Sequence, residues 1–223
     1  MISKSRIFEV YESAGKRRQL YTANLVPGMN VYGEKLILEN GIEYREWDAS
    51  KSKLASAILK GSLNIGIRKN DCVLYLGSST GTTVSHVSDI IGNEGMIFAV
   101  DIAPRVMRDF VFLCYDRKNI SPILADSSKT DILKGRISAV DVIYQDVAQK
   151  GQVEIFLKNI SLFLKEGGYA LLAVKARSID VTKQPKAIYR LVKEQLEKGL
   201  QIIDYRELDP FQRDHAMFIC KKK

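Results

Sequence analysis

From Asp71 onward the chain alternates short, continuous apolar runs with segments whose apolar residues recur at helical spacing, and this alternation constrains the fold more than any other feature. Uninterrupted β-branched runs belong to strands buried on both faces, and such strands need helices packed on each side of the sheet. The pattern predicts strands over 72–76, 96–100, 120–124, 140–144, 169–174, 201–207 and 215–220, with helices over 82–91, 105–117, 152–164 and 183–198. The fold class that follows is α/β: a doubly wound, mainly parallel, seven-stranded Rossmann-like sheet. In sheets of this kind ligands bind beyond the carboxyl ends of the strands, so functional residues are expected just after each one.

The first fifty residues read differently. Short β-like runs at 6–11, 19–22 and 35–39 are separated by turn signals at 12–16 and 26–30, which predicts a small antiparallel sheet without catalytic clustering. A helix over 51–63, capped by Ser50, leads into the second part. The expected division is a β-rich unit at 1–50 and the α/β unit at 51–223. The terminal Lys221, Lys222 and Lys223 read as a frayed tail.

Composition narrows the functional classes. With 46% hydrophobic and 27% charged residues among 223, the chain has globular usage, and no apolar run approaches the length of a membrane span, so no membrane partner is expected. The amino terminus carries scattered charge and no apolar stretch of the secretory kind, which leads to the expectation of a cytoplasmic location. The net charge of +8 lies wholly in residues 51–223, because residues 1–50 hold 7 basic and 7 acidic side chains. That distribution favours an anionic partner for the later part, although a solvated basic surface explains charge alone equally well. Cys72, Cys114 and Cys220 are far apart and lie among apolar residues, so they read as reduced core residues with no metal-binding spacing.

The strand ends carry the chemistry. After 72–76 comes Gly77-Ser78-Ser79-Thr80-Gly81-Thr82-Thr83, a glycine-bearing turn that opens a helix and can bring a ligand close to backbone amides. It matches neither GxGxxG nor the P-loop pattern. Asp101, Asp126 and Asp146 end three successive strands, and Asp101 stands where a carboxylate accepts hydrogen bonds from ribose hydroxyls. A ribose-bearing ligand with cationic groups fits three such carboxylates, and S-adenosylmethionine has both; NAD is the alternative, but its pyrophosphate calls for a denser glycine loop. Lys175 ends the strand 169–174, and His215 opens the last strand. His86 falls within an apolar helix, where packing is the expected role.

Taken together, the segments Tyr44-Arg45-Glu46-Trp47, Ser52-Lys53-Leu54-Ala55, Val73 to Gly77 with Gly81 to His86, Phe98 to Asp101, Asp141 to Gln149, Val174 to Asp180 and Asp214-His215-Ala216 resemble the fibrillarin family along nearly the whole chain. The stretches Asp146-Val147-Ala148-Gln149 and Val174 to Asp180 are the most specific. The sequence departs from the family with Ala49 and Lys51 in place of Pro and Arg, with Asp101-Ile102 in place of Glu and an aromatic, and with Ser127 in place of Ala. It lacks the Gly/Arg-rich extension of the eukaryotic members and so looks like the compact archaeal form.

The resemblance implies an S-adenosylmethionine-dependent RNA 2′-O-methyltransferase acting on ribosomal and transfer RNA. It implies a catalytic group of Lys53, Asp146, Lys175 and His215. Cofactor contacts would fall on Thr82 and Thr83, Asp101 and Ile102, Asp126 and Ser127, and Asp146, Val147, Ala148 and Gln149, with Gly77 in the turn. Lys175 is expected to act as the base, aided by the Lys53 charge and partial desolvation, with Asp146 orienting the lysines. The implied partners are a box C/D guide RNA with its target, a Nop-domain scaffold protein and a kink-turn-binding protein of ribosomal type. A methyltransferase acting without guide RNA on a protein glutamine or small molecule, and a non-catalytic subunit of an RNA particle, are the rival readings.

Overall fold

The computed structural model describes every residue except 14, 16 and 17. Strands β1 (Ile2–Lys4), β2 (Tyr11–Ser13), β3 (Gln19–Ala23), β4 (Leu36–Glu39) and β5 (Ile42–Trp47) form a five-stranded antiparallel sheet in the order β1-β2-β3-β5-β4. Helix α1 (Lys53–Leu59) follows, and then β6 (Cys72–Leu76), α2 (Thr82–Ile91), β7 (Met96–Asp101), α3 (Pro104–Asp116), β8 (Ile120–Leu124), α4 (Thr130–Lys134) and β9 (Val140–Gln145). The chain ends with α5 (Gln152–Phe163), β10 (Leu164–Lys175), α6 (Ala176–Ile179), α7 (Pro185–Leu196), β11 (Leu200–Glu207) and β12 (His215–Lys222).

The second sheet has seven strands in the order β11-β12-β10-β9-β6-β7-β8. Strands β8, β7, β6, β9 and β10 run parallel, while β12 is antiparallel to both β10 and β11. One apolar core joins Leu54, Ile58, Val84, Val87 and Phe110 to the sheet and also takes in Leu20 and Trp47 from the first sheet. The opposite face packs Phe156, Ile160, Ile188 and Val192. The parallel strands therefore point their carboxyl ends to one edge, where Gly77, Asp101, Asp146 and Lys175 emerge.

Several boundaries differ from the sequence expectations. The run 6–11 is not one strand: Ile7 and Val10 turn inward to the core from a loop in which Glu9 takes a left-handed φ of 52°. Strand β5 was not expected, because charged Arg45 and Glu46 interrupt its apolar pattern. The expected turn at 12–16 lies partly outside the described residues. Helix α1 is capped by Ser52, whose hydroxyl accepts the Ala55 amide at 3.3 Å, not by Ser50. Lys221 and Lys222 continue β12, and Lys222 reaches Glu166 at 2.8 Å, so the terminus is paired where a frayed tail was expected. Of the free cysteines only Cys220 is fully buried; Cys72 and Cys114 are half-buried.

A buried ionic network joins the two sheets. Arg45 on β5 is wholly enclosed and reaches Glu34 at 2.7 Å, Asp89 on α2 at 2.8 Å and the Ser85 hydroxyl at 3.0 Å. Arg117, just after α3, meets the other oxygen of Asp89 at 2.6 Å and donates to the carbonyl of Ser85. His86 is buried beside them: Nδ1 lies 2.8 Å from the Thr22 hydroxyl, Nε2 lies 2.8 Å from that of Tyr32, and the ring stacks on Trp47 at 4.8 Å. Burial pushes the His86 pKa well below its usual value, and the Arg45 and Arg117 cations act the same way. For Glu34 burial opposes ionisation, but the Tyr32 amide and Arg45 outweigh it and hold its carboxyl below the ordinary range.

Both shifts act on stability in one direction. A His86 held neutral in the fold takes up a proton once unfolded below about pH 6.5, so stability is full above that pH and falls as the medium is acidified. Glu34 extends the loss further into acid. In chemical denaturation, Arg45→Met is expected to cost about 3–5 kcal/mol, because it leaves the buried Glu34 carboxylate without its cation and Asp89 with one of its two; a loss below 1 kcal/mol would contradict this account of the network. His86→Phe is expected to reduce the decline in unfolding free energy between pH 7 and 5, and an unchanged slope would show that His86 is not its source.

Candidate active site

The edge formed by the strand ends brings the expected residues into two adjoining groups. Asp146, directly after β9, donates its amide to the Leu76 carbonyl at the end of β6 at 2.8 Å. Its carboxylate meets Lys53 Nζ, in the first turn of α1, at 2.7 Å. The two side chains are 23% and 21% exposed, so the pair is shielded but still open on one side. The start of α1 is fixed from α2, since the Thr83 hydroxyl donates to the Ser52 cap at 3.0 Å.

Lys175 closes β10 and His215 opens β12, and the two are register partners in the antiparallel ladder. The Lys175 amide donates to Gln152 Oε1 at 3.3 Å, while its side chain is exposed. His215 Nδ1 lies 2.6 Å from the Arg213 carbonyl, an acceptor only, so that nitrogen carries a hydrogen and Nε2 of the neutral ring keeps its lone pair. Burial lowers the His215 pKa; the Lys53 and Lys175 cations add to that shift, against the Arg213 carbonyl and the Asp146 charge. Lys53, Asp146, Lys175 and His215 thus come from four separate elements to one edge. The Lys53 charge is paired with Asp146, so its expected influence on Lys175 is largely compensated, and Lys175 is exposed where partial desolvation was expected.

Beside this group lies a cleft of about 250 Å³ walled by Gly77, Val100, Asp101, Ile102, Ala125, Ser127 and the run Asp146 to Gln149. Asp101 accepts the Ser79 amide at 2.8 Å on one oxygen and the Ala103 amide at 2.9 Å on the other, which orients the carboxylate and leaves further lone pairs for a ligand. Ile102 is exposed at the mouth, offering apolar contact without an aromatic face. Gly77 has φ +87°, and a Cβ there would overlap the Asp146 carbonyl oxygen. The glycine therefore admits a neighbouring strand end as well as any ligand. Gly81, at φ +96°, likewise leaves no room for a Cβ beside Leu113 and Phe110.

Three of the expected contact residues are not part of that wall. Asp126 bends back on its own loop, accepting the Ser128 hydroxyl at 2.7 Å and its amide at 2.9 Å, and these bonds hold its carboxyl below the usual range. Thr83 is turned to Ser52, and Thr82 lies beside it at the start of α2. Val100, Ala125, Ser52 and Gln152 were not singled out from the sequence. The signal for Gln152 is indirect: Gln145 is a polar residue ending a buried strand, and its amide needs the Gln152 carbonyl, 2.6 Å away.

Comparison with known proteins agrees with this geometry. The sequence model of the family described as Fibrillarin matches residues 1–223. The fibrillarin-like rRNA/tRNA 2′-O-methyltransferase of Pyrococcus abyssi is 45% identical over 216 residues, covering 97% of this chain and 95% of that protein. The structure of Aeropyrum pernix fibrillarin in complex with natively bound S-adenosyl-L-methionine superposes with a TM-score of 0.91 at 46% identity, covering 99% of this chain and 97% of the other. The fibrillarin of a fibrillarin/Nop5p complex superposes with a TM-score of 0.88 at 38% identity, covering 99% and 100%. Matched in sequence from end to end and in architecture throughout, the chain belongs to the fibrillarin family.

Proposed function

We propose that this chain transfers a methyl group from S-adenosylmethionine to the ribose 2′-hydroxyl of ribosomal and transfer RNA, as the catalytic subunit of a box C/D guide-RNA particle. The observation that carries the reading is the meeting, at one sheet edge, of an acidic cleft suited to a ribose-bearing cation with Lys53, Asp146, Lys175 and His215. The activity named for the Pyrococcus relative and the cofactor held by the Aeropyrum fibrillarin support it. The Nop5p complex supports a Nop-domain scaffold as partner. The guide and target RNA, and a kink-turn-binding protein of ribosomal type, rest on the family resemblance and on the positive excess of residues 51–223.

The cleft fits the cofactor by its donor set. Asp101, with lone pairs to spare, is suited to the two ribose hydroxyls, and Ile102 with Val100 and Ala125 to the flat apolar face of the base. The carboxylates at this edge favour a ligand with cationic groups. When bound, S-adenosylmethionine supplies an electrophilic methyl group on a sulfonium. The chain's own side chains do the rest. The acceptor RNA, by covering the exposed Lys175 and stripping it of water, favours release of its ammonium proton to solvent, and the neutral amine then accepts the proton of the 2′-hydroxyl. Asp146 holds Lys53 in place at the edge, and the basic surface around the pair orients the RNA backbone. The Nε2 lone pair of His215 accepts a hydrogen bond from the acceptor ribose. No step reads a base, which leaves sequence choice to pairing between guide and target.

Three outcomes test this function. Lys175→Ala in the reconstituted particle is expected to lower transfer of labelled methyl to a guide-matched RNA by about 100-fold or more, with cofactor affinity unchanged. An RNA carrying 2′-deoxyribose at the target nucleotide should take up no label, and equal labelling of both strands would refute the 2′-hydroxyl assignment. Gly77→Ala is expected to displace Asp146 and thereby weaken cofactor binding and transfer together; calorimetry showing normal cofactor affinity in that variant would overturn the role given to this close approach.

A further inference from the structure

We propose that Arg177 and Asp214 form a positioning clamp that keeps Lys175 and His215 aligned for methyl transfer, an inference that rests on the function proposed above. Strands β10 and β12 end their ladder at the Lys175 and His215 pair. Beyond this rung the chain leaves β10 into the single turn of α6 and enters β12 from the turn after β11, so no further strand pairing holds the two ends together. Residues directly flanking the rung close that gap. The Asp214 carbonyl accepts the Ala176 amide at 3.1 Å, and the Asp214 carboxylate accepts Arg177 Nε at 3.2 Å. Arg177 also donates to the Val181 carbonyl at 3.1 Å and so draws in the far side of its own loop.

The turn that carries Asp214 is held from several sides. Asp214 has φ +57°, a conformation that non-glycine residues seldom adopt and that persists where the surroundings over-determine it. Its turn is anchored elsewhere too: Gln212 Nε2 donates to the carbonyls of Ala49 and Ser50, just ahead of the helix that carries Lys53. His215 Nδ1 donates to the Arg213 carbonyl in the same turn. The turn between β11 and β12, residues 208–214, thus touches the supports of three of the four candidate catalytic groups. The Arg177 and Asp214 side chains are 44% and 27% exposed, and an ion pair that open to solvent adds little to global stability. Its placement, one residue before His215 and two after Lys175, bears on their alignment instead. Fraying of the last rung would let the lysine amine and the imidazole drift apart, and small misplacements of reacting groups are costly in rate.

The test uses Asp214→Asn, which keeps the carbonyl acceptor and a side chain tolerant of positive φ, Arg177→Met, and the double variant, each in the reconstituted particle with guide-matched RNA. Arg177→Lys is the conservative rescue. Single-turnover transfer is expected to fall about tenfold in each single variant, with no greater loss in the double variant, while the cofactor Kd stays within about twofold and Arg177→Lys recovers part of the rate. In the free protein, proton NMR of the His215 ring is expected to show its titration moving up toward the ordinary histidine value in Asp214→Asn, as the ring gains solvent and distance from the Lys53 and Lys175 cations. Wild-type rates in both single variants, losses that multiply in the double variant, or cofactor affinity falling in step with rate would each overturn the clamp. A wild-type particle that transfers no methyl while the His215 titration still shifts would count against the proposed function and leave the clamp standing.

Discussion

The glycine turn and Lys53 at the catalytic edge depend on the buried contact between Arg45, Asp89 and Arg117. Two guanidiniums share one carboxylate in an interior from which water is excluded, and Glu34 balances the second positive charge. Such a cluster is expensive to desolvate, and it is tolerated because nearly every donor finds an acceptor: Ser85, Ser88 and Asn24 take the remaining guanidinium hydrogens. Its geometric consequence is larger than its energetic one. Asp89 and Ser85 lie on α2, the helix that opens at the end of the glycine turn, so fixing α2 against β5 fixes the turn from Gly77 to Gly81. Thr83 on the same helix then sets the cap of α1 and, through it, Lys53. The first sheet thus reaches the active edge through α2, although none of its residues touches the cleft.

Asp146 joins the two halves of the site. Its amide is tied to β6, its backbone oxygen fits against Gly77, and its side chain serves both the cleft wall and Lys53. A ligand that moves this residue moves Lys53 with it. The cleft and the Lys53 side of the site are therefore mechanically one unit, a property that independent loops would not supply.

The parallel sheet was legible because its strands are continuous apolar runs, and α2 because Gly81 and Gly92 bracket a clear helical period. The strand-end rule then places Asp101, Asp146 and Lys175 at the edge. What escaped the sequence was mostly polar chemistry turned inward. Arg45 looked like a break in an apolar pattern, whereas it is the fully enclosed centre of β5. Ser50 and Ser52 both precede the helix, and only the fold shows which hydroxyl faces the Ala55 amide. Asp126 shares its strand-end position with Asp101, but Ser128 two residues on supplies a hydroxyl and an amide that capture the carboxylate locally. A pattern records position along the chain; it does not record which of several nearby donors a side chain meets.

The charge distribution acquires a more specific sense from the same geometry. Arg45 and Arg117 are spent internally on Glu34 and Asp89, and Lys53 on Asp146, so none of the three adds to the field that an approaching RNA meets. Lys175 and Arg213 stand exposed on either side of His215, while the adjoining cleft is lined by the Asp101 and Asp146 carboxylates. Positive potential at the rim draws a phosphate backbone to the edge, and negative potential within keeps it from entering the space meant for a cationic cofactor. With a net charge of +8, electrostatic attraction to RNA is modest. The affinity that holds a target nucleotide over Lys175 therefore has to come from the particle, and the chain itself needs to supply only a fixed edge on which the ribose, the base and the methyl donor meet.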